Sequence, residues 1–204
     1  MSLLTDTDIR KILKTGQMEY SEDSLTISPY FEDSLTPVGY DLRIGGIIAI
    51  SDEPGRKKIG EGDSFLLSSG STALITTLEN IEMPKTRLIS GLVESKVTKV
   101  AQGLSHISTT VDPDWKGNLL IAIHNHSNKK IKLVYGEAFC TIVFVKNLSE
   151  STKLCKKEDG RADIFLKKFD EEHAEARKCR RLQELLPLFI ILVIPTIGYY
   201  SNPI

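Results

Sequence analysis

The stretch Ser105-His106-Ile107-Ser108-Thr109-Thr110-Val111 carries the densest set of reactive side chains and runs straight into an Asp112-Pro113-Asp114 turn. His106, Ser108, Thr109 and Thr110 are four hydrogen-bonding groups in close succession. Unpaired hydroxyls cost free energy in a buried strand, so this run implies a polar pocket, although Thr is also a good strand former. Asp112 offers a carboxylate that either caps its own Asp-Pro turn or faces a ligand. His124 lies on the apolar stretch Leu119 to Asn125. An ordinary imidazole titrates at about pH 6.5, so His124 can act as a base or sit as a partly exposed strand residue. Lys96 and Lys99 can attract an anion or form a solvated face. Asp41 and Arg43, two residues apart on an extended segment, share a face and can pair there.

These groups need elements to hold them. Thr5 or Asp6 can cap an N-terminal helix whose buried face is Ile9, Ile12 and Leu13. From about Pro37 to Asn147 the chain reads as strands and turns. Segments 40–50, 64–67, 72–78, 118–125, 130–133 and 139–145 are rich in Ile, Leu, Val and Thr, and Asp, Gly, Asn and Pro clusters separate them. Short strands at this spacing predict an all-β barrel or sandwich and no βαβ units. Segment 162–182 has no Gly or Pro and predicts a charged helix with a thin stripe of Phe165, Phe169 and Ala176, solvated or weakly coiled. The division is a domain over 1–148, a charged helical linker over 149–184 and an apolar tail over 185–204.

The 204 residues balance to a net charge of −1, which argues against a strongly basic nucleic-acid binder. Three scattered cysteines without CxxC spacing argue against a structural zinc site and for a reducing compartment. The first residues show no secretory signal, which predicts a cytoplasmic protein. The uncharged run Leu185–Ile204 reaches the roughly 20 residues that cross a bilayer, and Arg177, Lys178, Arg180 and Arg181 precede it. The expectation is an anchor on the cytoplasmic face of a membrane, with packing on the domain or on a partner subunit as the alternative.

Several segments, in order, resemble the dCTP deaminase/dUTPase superfamily. Leu4 to Arg10 is similar to the deaminases' N-terminal helix, and Leu35-Thr36-Pro37-Val38-Gly39-Tyr40-Asp41-Leu42-Arg43-Ile44-Gly45 to the shared first motif. Thr77 to Pro84 matches the segment before the second motif, Val111 to Asn118 the third, and Tyr135-Gly136-Glu137 through Phe144 the fourth. The resemblance implies a mainly β, distorted jelly-roll β-barrel of dUTPase type, with a short N-terminal helix and here a C-terminal one. It also implies a homotrimer with nucleotide sites between subunits. The deaminases convert dCTP to dUTP without a metal, using a glutamate base on water. The dUTPases hydrolyse dUTP with Mg²⁺ and position water with the third-motif aspartate. In both, a carboxylate works within hydrogen-bond reach of water.

Carried onto this chain, Asp112 takes the place of the third-motif aspartate and Asp41 that of the first-motif aspartate near metal and phosphates. The deaminase glutamate falls on Ala122, and a methyl group cannot accept a proton. His124, two residues on and on the same face, is the substitute base. The second motif, Gly-Arg-Ser-Ser-x-x-Arg, reads Ser95-Lys96-Val97-Thr98-Lys99-Val100-Ala101. Lys96 keeps a charge without the guanidinium fork, Thr98 keeps a hydroxyl, and the last arginine falls on Ala101. The fourth-motif glutamine falls on Thr141. The resulting substrate-binding set is Lys96, Thr98, His106, Ser108 and Thr109, with Asp112 and His124 catalytic and Asp41 the metal ligand. The expected ligand is dCTP or dUTP with Mg²⁺. The expected function is nucleotide binding with weakened or lost deamination. The alternatives are an active dCTP deaminase or dUTP pyrophosphatase built around Asp112, or a structural trimer that displays its tail.

Overall fold

The computed structural model describes residues 2–14, 21–106, 108–155 and 165–182. Its elements in chain order begin with β1 (Ser2–Leu3), α1 (Asp6–Ile12), β2 (Thr26–Ser28), β3 (Leu35–Thr36) and β4 (Gly39–Ile50). There follow β5 (Arg56–Lys58), β6 (Ser64–Leu67), β7 (Thr72–Glu82), β8 (Ile89–Ser95) and α2 (Val97–Ala101). The remainder are β9 (Leu104–Ser105), β10 (Thr109–Val111), β11 (Lys116–Asn125), β12 (Ile131–Val134), β13 (Ala138–Lys146) and a helix α3 over 165–182.

One antiparallel sheet runs β10-β8-β13-β4-β7-β11-β9, with β1, β2, β3 and β5 pairing at its margins, and β6 and β12 form a separate two-stranded antiparallel sheet. Period-two patterning turns each strand one way. On β11, Leu119, Ile121 and Ile123 are buried, while Leu120, Ala122 and His124 face outward. The inward set joins Tyr40, Leu42, Ile44, Ile75, Ile142 and Phe144 in one core. Burying each such side chain contributes roughly 1.5–3 kcal/mol. Gly45 permits β4 to cross β7 closely, since a Cβ there would lie 2.5 Å from the Thr76 and Thr77 carbonyl oxygens. The mainly β, jelly-roll-like sheet agrees with the sequence expectation.

Locally the structure uses one of the two caps that the sequence allows and departs from expectation in two other places. Thr5 is the N-cap of α1, and Asp8 closes a capping box with it, so Asp6 lies inside the helix. Lys96 and Lys99 form no solvated face, because β8 ends at Ser95, Lys96 is the N-cap of α2 and Lys99, inside α2, is buried. Gly103, at φ +92°, turns the chain out of that helix; there a Cβ would also strike Ser127. α3 is not a free solvated helix. Leu166 is buried, the Gly55 N–H donates to Asp170 at 3.0 Å, Arg177 donates to the Ser51 carbonyl at 3.2 Å, and Arg180 pairs with Asp52 at 3.0 Å. The packed stripe is Leu166, Phe169, Asp170, His173 and Arg177, and Ala176 is exposed. Among the described residues no helix is long and apolar enough to cross a membrane. The tail over 185–204, where the anchor was expected, lies outside the described residues.

Candidate functional site

A cavity of about 320 Å³ opens beside the turn that joins β10 to β11. Leu120 and Ala122 of β11 with Leu74 of β7 form its floor, and Thr109, Thr110, Asp112 and Trp115 form its wall. Phe165, the first described residue of α3, closes one side and is 48% exposed. The turn itself is held by backbone and indole, with Trp115 N–H donating to the Asp112 carbonyl at 3.0 Å and Nε1–H to the Gly117 carbonyl at 3.0 Å. The Asp112 carboxylate takes no hydrogen bond or ion pair among the described residues. It is therefore not spent on capping the turn. Among the described residues that line the cavity it is also the only ionisable side chain.

Asn118 lines the same cavity, but its Nδ2 donates to the Thr77 and Glu79 carbonyls at 3.0 and 3.1 Å. Those bonds fix the register shift of β11 against β7 between Asn118 and Leu120, and so set which residues face outward. Among the described lining residues no second carboxylate accompanies Asp112, and position 122 is an alanine.

The other candidate residues lie elsewhere. His124 is on the outward face of β11 but outside the cavity lining; its Nδ1 is 2.9 Å from Thr72 Oγ1, and its ring meets His126 edge-on at 4.3 Å. Burial, and then the neighbouring His126, pushes its pKa below the ordinary 6.5. The unfolded chain therefore takes up a proton that the folded ring resists. This stabilising contribution is complete above about pH 6.5 and is lost as pH falls through that value towards the folded one. His124→Gln is expected to reduce the drop in urea midpoint between pH 7.5 and 5.5; an unchanged drop would assign that loss to other groups.

His106 is consumed structurally. Nε2–H donates to the Val93 carbonyl at 3.1 Å, which leaves Nδ1 to accept from the Ser95 hydroxyl at 2.8 Å. It borders a crevice of about 10 Å³, too small for a ligand. Ser108 donates to Glu94 at 3.0 Å, and Thr98 is exposed on α2. Thr109 is thus the one member of the expected substrate-binding set that lines the cavity.

Asp41 does not pair with Arg43. Its carboxylate takes the Lys96 ammonium and, at 2.7 Å, the Thr141 hydroxyl. Arg43 instead meets the fully buried Glu79, which accepts its backbone N–H at 2.9 Å and faces its guanidinium at 3.4 Å, with Phe31 beneath at 3.9 Å. Lys99 is buried and paired with Glu137. Among the described residues no three His, Cys, Asp or Glu side chains converge as a metal site. With an ammonium already on Asp41, the residues present do not fit a Mg²⁺ ion there.

Residues 3–147 match the family model described as dCTP deaminase-like. The dCTP deaminase of Thermococcus kodakarensis is 34% identical over 122 residues, covering 60% of this chain and 76% of that protein. The dCTP deaminase of Pyrococcus horikoshii is 32% identical over 144 residues, covering 71% of this chain and 82% of that protein. Among solved structures, the 2′-deoxycytidine 5′-triphosphate deaminase from Agrobacterium tumefaciens is similar in fold, with a TM-score of 0.53 at 16% identity. That likeness covers 70% of this chain and 47% of the other, so this chain spans less than half of that structure's length.

Proposed function

This chain belongs to the dCTP deaminase-like family, and from that premise we propose that it binds a deoxypyrimidine nucleotide at the Asp112 cavity without deaminating it. The reading rests on the cavity itself, where an uncommitted carboxylate, Asp112, faces a floor that carries Ala122 at the glutamate position. Asp112 accepts a hydrogen bond from the sugar hydroxyl, and Thr109 and Thr110 offer hydroxyls on the same wall. Attack of water on the cytosine ring needs a base to take its proton, and a methyl group supplies none. His124 is no replacement, because it lies outside the lining and is held by Thr72. The cavity's polar wall, Thr109, Thr110 and Asp112, is exposed in the single subunit, which suits a homotrimer in which a neighbour completes the site. An uncommitted aspartate is also what hydrolysis of dUTP would use to position water, and one assay separates the two.

The full chain is to be incubated with dCTP and with dUTP in Mg²⁺ buffer, with products resolved by chromatography and binding measured by calorimetry. Saturable binding with no dUTP formed from dCTP, no dUMP and no ammonia is the expected result, and Asp112→Ala is expected to weaken binding by about tenfold or more. Release of dUTP from dCTP would overturn the loss of deamination, and release of dUMP would establish the hydrolytic reading. Binding unaffected by Asp112→Ala would remove this cavity from consideration.

A further inference from the structure

At the end of β11 stands a histidine pair that the nucleotide reading leaves unused. His124 and His126 are two residues apart on extended backbone, so both side chains leave one face of the sheet. Their rings meet edge-on, with centroids 4.3 Å apart and planes at 61°. We infer that this pair chelates a divalent transition-metal ion of the kind imidazole prefers, Zn²⁺, Ni²⁺ or Cu²⁺, two residues along the strand from Ala122. Neither histidine lines the Asp112 cavity, so the inference does not depend on nucleotide binding.

A chelate needs two nitrogens aimed at one point. Nitrogen–zinc bonds of roughly 2.0–2.1 Å place two ring nitrogens on one ion about 3 Å apart. Rings already in edge contact reach that separation by rotation of His126, whose side chain is exposed. His124 Nδ1 lies 2.9 Å from Thr72 Oγ1. The hydroxyl oxygen can accept the Nδ1–H, and that bond leaves the lone pair of Nε2 for the metal. Ligating histidines commonly hand their second N–H to such an acceptor, which fixes the ring and raises its basicity. Thr72 is itself held, since its N–H donates to Ser51 Oγ at 3.0 Å.

The backbone between the two rings is equally fixed. Asn125 is fully buried, and its Nδ2 donates to the Leu67 and Lys129 carbonyls at 2.9 and 2.8 Å. The Asn125 N–H donates to the Ser71 carbonyl at 3.0 Å, and the His126 N–H to the Gly103 carbonyl at 2.8 Å. Both rings therefore start from a set backbone, which lowers the ordering cost of binding. With two protein ligands the other coordination positions go to water, in keeping with the lack of a three-ligand cluster among the described residues. Imidazole suits zinc, nickel and copper, whereas Mg²⁺ takes oxygen ligands.

The test is calorimetric titration of the full, untagged chain, stripped of metal with a chelator, with Ni²⁺ and with Zn²⁺ at pH 7.5. Saturable binding at this site is expected, undisturbed by excess Mg²⁺. His126→Ala, at an exposed position, is expected to weaken Ni²⁺ binding by about tenfold or more, and Thr72→Val, which keeps a β-branched strand residue, by about tenfold. Cu²⁺ on the native chain is expected to give an electron paramagnetic resonance pattern of two nitrogen ligands, which His126→Ala reduces to one. The absence of saturable binding, or binding and a copper spectrum unmoved by His126→Ala, would overturn the inference. Displacement by Mg²⁺ would do the same, because it marks oxygen ligands. Unchanged Ni²⁺ affinity in Thr72→Val would overturn the Nε2 assignment and the chelate built on it.

Discussion

On the proposed reading, Ala122→Glu is expected to confer release of ammonia from cytosine nucleotides, with deoxyuridine formed from deoxycytidine and dUTP from dCTP. Ala122 sits on the outward face of β11, exposed and on the cavity floor, so a longer side chain enters open space without disturbing the core. The new carboxylate takes a proton from water as oxygen bonds to the ring carbon, and the amino group leaves as ammonia. A positioned general base contributes roughly 10²–10⁴-fold to such a step. Ala122→Gln is the control, because it has the same length and hydrogen-bonding reach but cannot take the proton at neutral pH. Chromatography of both nucleosides and triphosphates after long incubation reads the outcome. If the glutamate variant is as silent as the glutamine one, the cavity lacks more than its base.

The second large effect concerns stability. Glu79→Ala is expected to destabilise the fold by about 3–5 kcal/mol, the usual cost of stranding one partner of a buried ion pair. Glu79 is 0% exposed, and burial raises its pKa above the ordinary value even though the Arg43 N–H and guanidinium oppose that rise. Removing it leaves a strand N–H of β4 without an acceptor and a guanidinium, 18% exposed, resting on Phe31 without a counter-charge. Glu79→Gln keeps an acceptor for the N–H and should cost clearly less. Urea unfolding of both variants checks the order; equal costs would mean that volume, not charge, is what the site needs.

Much of this was legible in the residues. The alternation Leu119, Ile121, Ile123 against Leu120, Ala122, His124 fixes which β11 side chains leave the core, because successive side chains on a strand must point to opposite faces. The Asp112-Pro113 turn and the Thr5 cap could likewise be read locally, since their hydrogen bonds close within three residues. β8 could not: Ile89-Ser90-Gly91-Leu92-Val93-Glu94-Ser95 is too polar to read as a central strand. Its Gly91 is small because Ile142 and Val111 fill the space where a Cβ would be, at 2.8 and 3.0 Å.

The sequence by itself determined the order of the family's motifs, the Asp112 turn and the absence of a glutamate at position 122. Only the tertiary structure decided the partners. Lys96 and Asp41 are 55 positions apart, Arg43 and Glu79 are 36 apart, and Phe165 reaches the cavity from a helix anchored on Ser51, Asp52 and Gly55. Charge pairing depends on distance in space and on burial, and neither is encoded in the spacing of residues along the chain.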